Sequence, residues 1–408
     1  MGGSWREVLH ENCTAQMSRD LSDARLLAFL RELVAIDSTP GREERVVHRI
    51  ADEMKSLGYQ DARVDEAGNA VGHFGEGSPV ILTDCHVDTI PDHGKGLWHH
   101  QPFGAEMDGD RLYGLGVSDM KASAAAVIYG VARLFASGHS PRGTVHVVSS
   151  IAEESMEGAA LASTFDRLKP DIAVIGEPTD LRLAFGQRGR AKIEVDVTGS
   201  ASHAGHPEVG VNAVEFMAQF VESVAAIKHP VHPMLGPRTA TCIDIHSEPY
   251  PSVSQVPASC RARFDCRFGP DETKETLMAM LAEHKIAWSG ARRKPKLDVH
   301  MYIAEFDVFT GQKYSVLEYA PAWLTPVDSD VVRACLAGLR AAGLPAETCT
   351  YGFCTNGSLT AGLRGVTTVG YGIAREEVAH TVDEFIDVDK LYKGTEGYAV
   401  VIASLLAS

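Results

Sequence analysis

Three short runs of apolar, largely β-branched residues constrain this chain most: Val80 to Thr83, Thr144 to Ser149 and Ile172 to Ile175. Each is short for a helix, and apolar runs of this kind suit strands covered on both faces in an α/β sheet. A longer helix-like stretch, Met120 to Ala136, lies between the first two. Upstream, Leu26, Leu27, Leu30, Leu33 and Val34 fall on one helical stripe, and Val46, Val47, Ile50 and Met54 on another. The alternation of helix and strand predicts an α/β fold.

After Gly189 the texture changes. Ile193, Val195 and Val197 alternate with polar residues, as do the residues around Phe264, which predicts strands with one wet face. Helical stripes at Val214 to Ala225 and Glu272 to Glu283 place helices on the other face. The reading is a smaller α+β domain, 189–315, inserted between two parts of a larger domain, 1–188 and 316–408, with its far end in the less regular stretch from Pro295 to Leu324. A length of 408 residues suits two domains.

With 38 basic against 54 acidic residues, the formal net charge of -16 disfavours nucleic acid or an anionic membrane as partner. Met1 to Asp20 lacks the apolar core of a secretory signal, and no stretch is long and apolar enough to span a bilayer. Eight scattered cysteines without Cys-x-x-Cys spacing suit reduced thiols, so the expectation is a soluble, cytoplasmic protein acting on a small molecule.

Chemistry-bearing residues cluster just past the strand-like runs. In Thr83-Asp84-Cys85-His86-Val87-Asp88, His86 can offer a ring nitrogen to a metal while Asp88 holds the other. Asp119, in Gly114-Leu115-Gly116-Val117-Ser118-Asp119, suits a carboxylate bridging two divalent ions, or equally a helix N-cap. Glu153 and Glu154 are adjacent carboxylates at a strand end, where one can ligate a cation and its neighbour can take a proton from water; the plainer alternative is a solvated pair. Glu177 and His380 each follow a further strand. Four clusters at strand ends point to one shared site at the sheet's carboxyl edge.

In this combination the sequence resembles the M20 family of metallopeptidases and amidohydrolases, from about Ala24 to Ala403. The resemblance implies an α/β, mixed-sheet metallohydrolase catalytic domain carrying an inserted smaller α+β lid and dimerisation domain, and so a homodimer or higher homo-oligomer. It implies that His86, Asp119 and Glu177 hold one ion and that Asp119, Glu154 and His380 hold the other. Glu153 is then the general base, and Asp88 orients His86. His203, in Ser202-His203-Ala204-Gly205-His206-Pro207, matches a lid histidine that reaches a neighbouring subunit's site to stabilise an oxyanion. Asp265 and Arg267 match an Asp-x-Arg strand read as an ion pair. Mixed carboxylate and imidazole ligands suit Zn, Mn or Co.

The sequence departs from the family at Thr355-Asn356-Gly357 and Gly372-Ile373-Ala374, loops that usually meet the substrate. The expected reaction is hydrolysis of a carbon–nitrogen bond in a small carboxylate-bearing substrate. These departures leave open an aromatic aminohydrolase in place of a peptidase or deacylase, and a non-catalytic metal-stabilised binding protein is the alternative of another class. Asn356, Arg188 and Arg375 are the candidate substrate contacts, with Arg190, Arg261 and Arg263 also available to a carboxylate.

Overall fold

The computed structural model describes residues 20–92, 94, 96–138, 142–251, 253–284 and 293–407. The reading of Met1 to Asp20 falls, apart from Asp20, outside the described residues. The three apolar runs are strands of a nine-stranded mixed sheet: β1 Gln60–Val64, β2 Ala70–Glu76, β3 Val80–His86, β4 Gly143–Ser150, β5 Ile172–Ile175, β6 Leu183–Gln187, β7 Trp323–Leu324, β8 Thr348–Tyr351 and β9 Thr367–Tyr371. Their order is β1-β2-β4-β3-β5-β9-β6-β7, with β8 also paired to β6. The middle is parallel: β3 runs with β4 and β5, and β5 with β9. His86 stands opposite Ser150 and Asp84 opposite Ile175, so three carboxyl ends finish side by side.

Burial on both faces explains the lack of alternation in these strands. Ile81, Val145, Val147 and Val174 join a core with the helices Asp23–Val34, Ala122–Ala136 and Val388–Leu406. Leu82, Val148 and Ala173 pack instead with Leu161 and Phe165 of the helix Ala159–Leu168. Helix Ala122–Ala136 is buried almost all round. At Gly130 it approaches Val388–Leu406 so closely that a Cβ would lie 2.6 Å from the Thr395 carbonyl oxygen.

The chain leaves this sheet after Gln187 and enters a second, antiparallel one at Gly189, ordered Thr239–Glu248, Ser259–Phe268, Gly189–Thr198, Lys296–Met301. Its inward residues Ile193, Val195, Val197 and Phe264 meet Phe216 and Phe220 of the helix Ala213–Ala225 and Leu277 of Lys274–Ala282. Both helices are capped: Asn212 accepts from the Val214 and Glu215 N–H groups, and Thr273 forms a reciprocal pair with Thr276.

Pro295 to Leu324 is more regular than its sequence suggests. It holds the last long lid strand, a hairpin Ile303–Asp307/Lys313–Leu317, and Tyr319–Ala320, which pairs with Gly189–Thr198 beyond residue 315. The hairpin's Phe306, Tyr314 and Val316 are half-buried against the first core, a shallow burial that leaves a weak periodic signal. Among the described residues no helix is long and apolar enough to cross a membrane.

Candidate metal centre and hydrolytic site

The five predicted ligands arrive from separate elements. His86 ends β3; Glu154 lies in the first turn of the short helix Glu153–Met156 past β4; Glu177 follows β5; His380 follows β9; and Asp119 lies in Val117–Lys121, before the buried helix. They line one cavity of about 360 Å³. His86 Nε2 lies 2.9 Å from Asp119 Oδ1 and 3.6 Å from Glu177 Oε1, while His380 Nε2 lies 3.1 Å from Asp119 Oδ2 and 2.8 Å from Glu154 Oε1. Asp119 thus faces a histidine with each oxygen and does not act as an N-cap. Ligand atoms of His86, Glu153 and Glu177 lie within 4.8 Å of one another, as do those of His86, Asp119 and Glu154.

Backbone hydrogen bonds fix this arrangement. The Asp88 carboxylate accepts from the N–H groups of Glu153 and Glu154, at 3.0 Å each. The other ring nitrogen of His86 meets the Asp88 carbonyl at 3.1 Å, with the carboxylate at 3.5 Å, so the expected carboxylate clamp on His86 is mainly a backbone one. Glu384, absent from the sequence reading, is buried and accepts from the N–H groups of Gly116 at 2.9 Å, Ser118 at 2.6 Å and Asp119 at 3.1 Å. Its one sequence cue is its place four residues after His380. Burial pushes its carboxyl up to about 8. Lys121, also buried, donates to the Leu33 and Ile36 carbonyls at 3.0 and 2.9 Å, and burial lowers its ammonium to about 7.

Charge in the cavity is unbalanced. Burial holds the Glu153 carboxyl well above its ordinary range, with Glu177 adding repulsion, and burial with Asp119 does the same to Glu177. Burial also raises Glu154. Burial works against ionised Asp119 too, but hydrogen bonds with His380 and His86 hold it far below the carboxylate range. His380, bonded to Asp119 and Glu154, rises to about 10. Burial alone would lower His86, yet Glu177 and Asp119 hold it well above its usual value.

These residues fit divalent metal ions. Asp119, Glu153, Glu154 and Glu177 carry four negative charges when ionised, and neutral imidazoles offset none of it, whereas two divalent cations would balance them. Glu153 is buried and its Oε1 has no hydrogen-bond partner, leaving one acid free of the imidazole pairing.

The structure sorts the remaining candidates differently. Asn356 lies outside the lining: its Nδ2 donates to Asp84 Oδ2 at 2.7 Å and Ser150 Oγ at 3.1 Å, and its Oδ1 accepts from the Gly158 N–H at 2.5 Å. It ties β3 and β4 to the loop below Glu153, and burial uses up its polar atoms. Ile373 and Ala374 are buried too, so neither departure from the family motifs meets the cavity. Arg188 donates to the Pro237 carbonyl, and Arg375 lies 3.9 Å from Asp387 and over the Phe385 ring; neither lines the site. Arg261 and Arg263 pair with Asp196 and Glu194, also outside it. His203 is exposed, accepts from the Gly205 N–H, and is not in its own chain's lining.

The arginines that do line the cavity are Arg190 and Arg267. Arg190 pairs with Glu157 and with Glu318 at 3.2 Å; Arg267 forms the expected pair with Asp265 at 2.7 Å. Strand alternation carried the signal: with Ile193, Val195 and Val197 turned to the helices, Arg190 must take the opposite face. Glu157, Phe353, Cys354 and Glu376 complete the wall and were not anticipated.

The model of the Peptidase family M20/M25/M40 matches residues 82–404. The protein YgeY of Escherichia coli strain K12, itself uncharacterized, is 30% identical over 391 residues, covering 94% of this chain and 95% of its own. Acetylornithine deacetylase of Proteus mirabilis is 27% identical over 386 residues, covering 89% of this chain and 92% of its own. In fold, the chain is similar to the crystal structure of aminopeptidase PepT from Bacillus cereus, with a TM-score of 0.71 at 19% identity, covering 95% of this chain and 99% of that one.

Proposed function

We propose, from the premise that the chain belongs to the Peptidase family M20/M25/M40 and is a metal-dependent hydrolase acting on carbon–nitrogen bonds, that it cleaves the amide of a small carboxylate-bearing substrate with Glu153 as general base. The observation that carries this reading is the free Oε1 of Glu153, buried in a wall of converging ligands. His86, Asp119 and Glu177 would hold one ion, and Asp119, Glu154 and His380 the other, with Zn, Mn or Co as the metals. Two such ions supply Lewis acidity, polarising the scissile carbonyl and acidifying water.

Glu153 takes the attacking water's proton and delivers it to the departing nitrogen; its burial suits a carboxyl that must give the proton back. Arg267, with Arg190 behind it, holds the substrate carboxylate from the lid side. Asp88 keeps Glu153 aimed, and Glu384 keeps Asp119 in place.

A homodimer formed through the lid would carry His203 to a neighbouring subunit's cavity, where it would meet the oxyanion. Support comes from the exposure of His203 and from Ile243 and Ile245, exposed on the edge strand Thr239–Glu248. Unpaired cysteines throughout the described residues support a reducing, cytoplasmic setting. The test is turnover of a panel of N-acyl amino acids, dipeptides and amino-benzoates with and without chelator. Chelator-sensitive release of an amine from an amide is expected; release from the aromatic amines alone would overturn the amide reading.

A further inference from the structure

The cationic side chains of the cavity wall already have anionic partners. Arg190 is matched by Glu157 and Glu318, and Arg267 by Asp265. On the catalytic-sheet side the reverse holds. Glu376 lines the same cavity from the short turn Glu376–Val378, after β9 and before His380. No ion pair or hydrogen bond engages its carboxylate among the described residues; partial burial and the neighbouring Glu377 raise its carboxyl, and Arg182 attracts it only at longer range. The carboxylate lies over Gly352, where an added Cβ would be 3.2 Å from Oε1, and Phe353 follows in the lining.

From this unmatched charge we propose that Glu376 is a specificity-determining residue that selects substrates bearing an ammonium or guanidinium group in addition to their carboxylate. The inference rests on the amidohydrolase reading above and adds the substrate's second charge. The proposed ions would account for Asp119, Glu154 and Glu177, and Arg190 for Glu157, whereas Glu376 lies at the accessible wall without such a partner. A side-chain amine on an N-acyl amino acid, or the amino terminus of a dipeptide, supplies the missing cation, with Phe353 beside its methylene stem.

The test compares kcat/KM for N2-acetyl-L-ornithine with that for its uncharged isostere N-acetyl-L-norleucine, and for a dipeptide with its N-formyl form, using metal-loaded enzyme. The wild type should favour the cationic member of at least one pair by roughly tenfold. Glu376→Gln should bring that ratio close to one, Glu376→Asp should retain part of it, and Glu376→Lys should reverse it. A ratio near one in the wild type with both pairs, or one that survives Glu376→Gln, overturns the inference while leaving the hydrolase reading intact. Failure to hydrolyse any member overturns both.

Discussion

The carboxylate of Asp88 holds the backbone N–H of Glu153 at 3.0 Å, and with its second oxygen that of Glu154, also at 3.0 Å. One buried side chain therefore aims both the residue proposed to transfer the proton and one proposed to hold metal. Asp88→Asn offers one acceptor where two are needed, stranding an N–H in a buried turn. Unfolding should become easier by about 1–3 kcal/mol, read from urea titration, and kcat should fall with it. An unchanged midpoint and kcat would show that the turn holds itself.

Glu153 and Glu154 are adjacent in sequence but should fail differently when neutralised. Glu153→Gln should lower kcat by about 10²–10⁴-fold while metal content, measured by plasma mass spectrometry, stays near the wild type. Glu154→Gln should lose metal first. Equal turnover in Glu153→Gln removes it from the reaction.

Chelation should cost stability as well as activity, because Asp119, Glu153, Glu154 and Glu177 are then left facing one another. At a hundredfold excess over Kd a bound ion contributes about 2.7 kcal/mol. The melting temperature should drop with chelator and recover on adding Zn, Mn or Co. A melting temperature indifferent to all three ions counts against the centre.

His146, on β4 away from the cavity, makes a separate prediction. Burial, helped by neighbouring His73 and Arg167, lowers its imidazole from 6.5 to about 4, and its Nδ1 is buried without a partner. The unfolded chain therefore takes up this proton before the folded one does, and stability falls as pH drops through that window. His146→Gln should flatten the decline between pH 6.5 and 4 in thermal melts. An unaltered slope would mean that His146 titrates normally in the fold.

Much of the site was legible because a strand buried on both faces declares itself by composition, and its carboxyl end shows where function gathers. His86, Glu154 and Glu177 could be placed without knowing strand order. What sequence left obscure were contacts set by long-range closure. Asn356 reads as a loop residue facing substrate, yet folding turns it toward Asp84 and Ser150. Beyond its nearness to His380, Glu384 shows no pattern in sequence, because its partners are backbone N–H groups more than 260 residues away. Arg190 and Arg188 differ by two residues, and what separates them is that one lies within a lid strand and the other in the crossing just before it.

The position of β9 bears on how the molecule is made. It enters between β5 and β6, strands encoded far earlier in the chain. Synthesis therefore delivers the two flanking strands, then the whole lid, before the piece that joins them. Through that interval both flanking strands keep open edges, the kind of template on which nascent chains pair wrongly. The lid, complete by Ala320, can fold during the wait, whereas His380 reaches the other ligands only after the slot has been filled. Hydrolysis that depends on His380, as proposed, would thus report closure of the sheet around β9, and an amino-terminal product of translation ending before that strand could not acquire it.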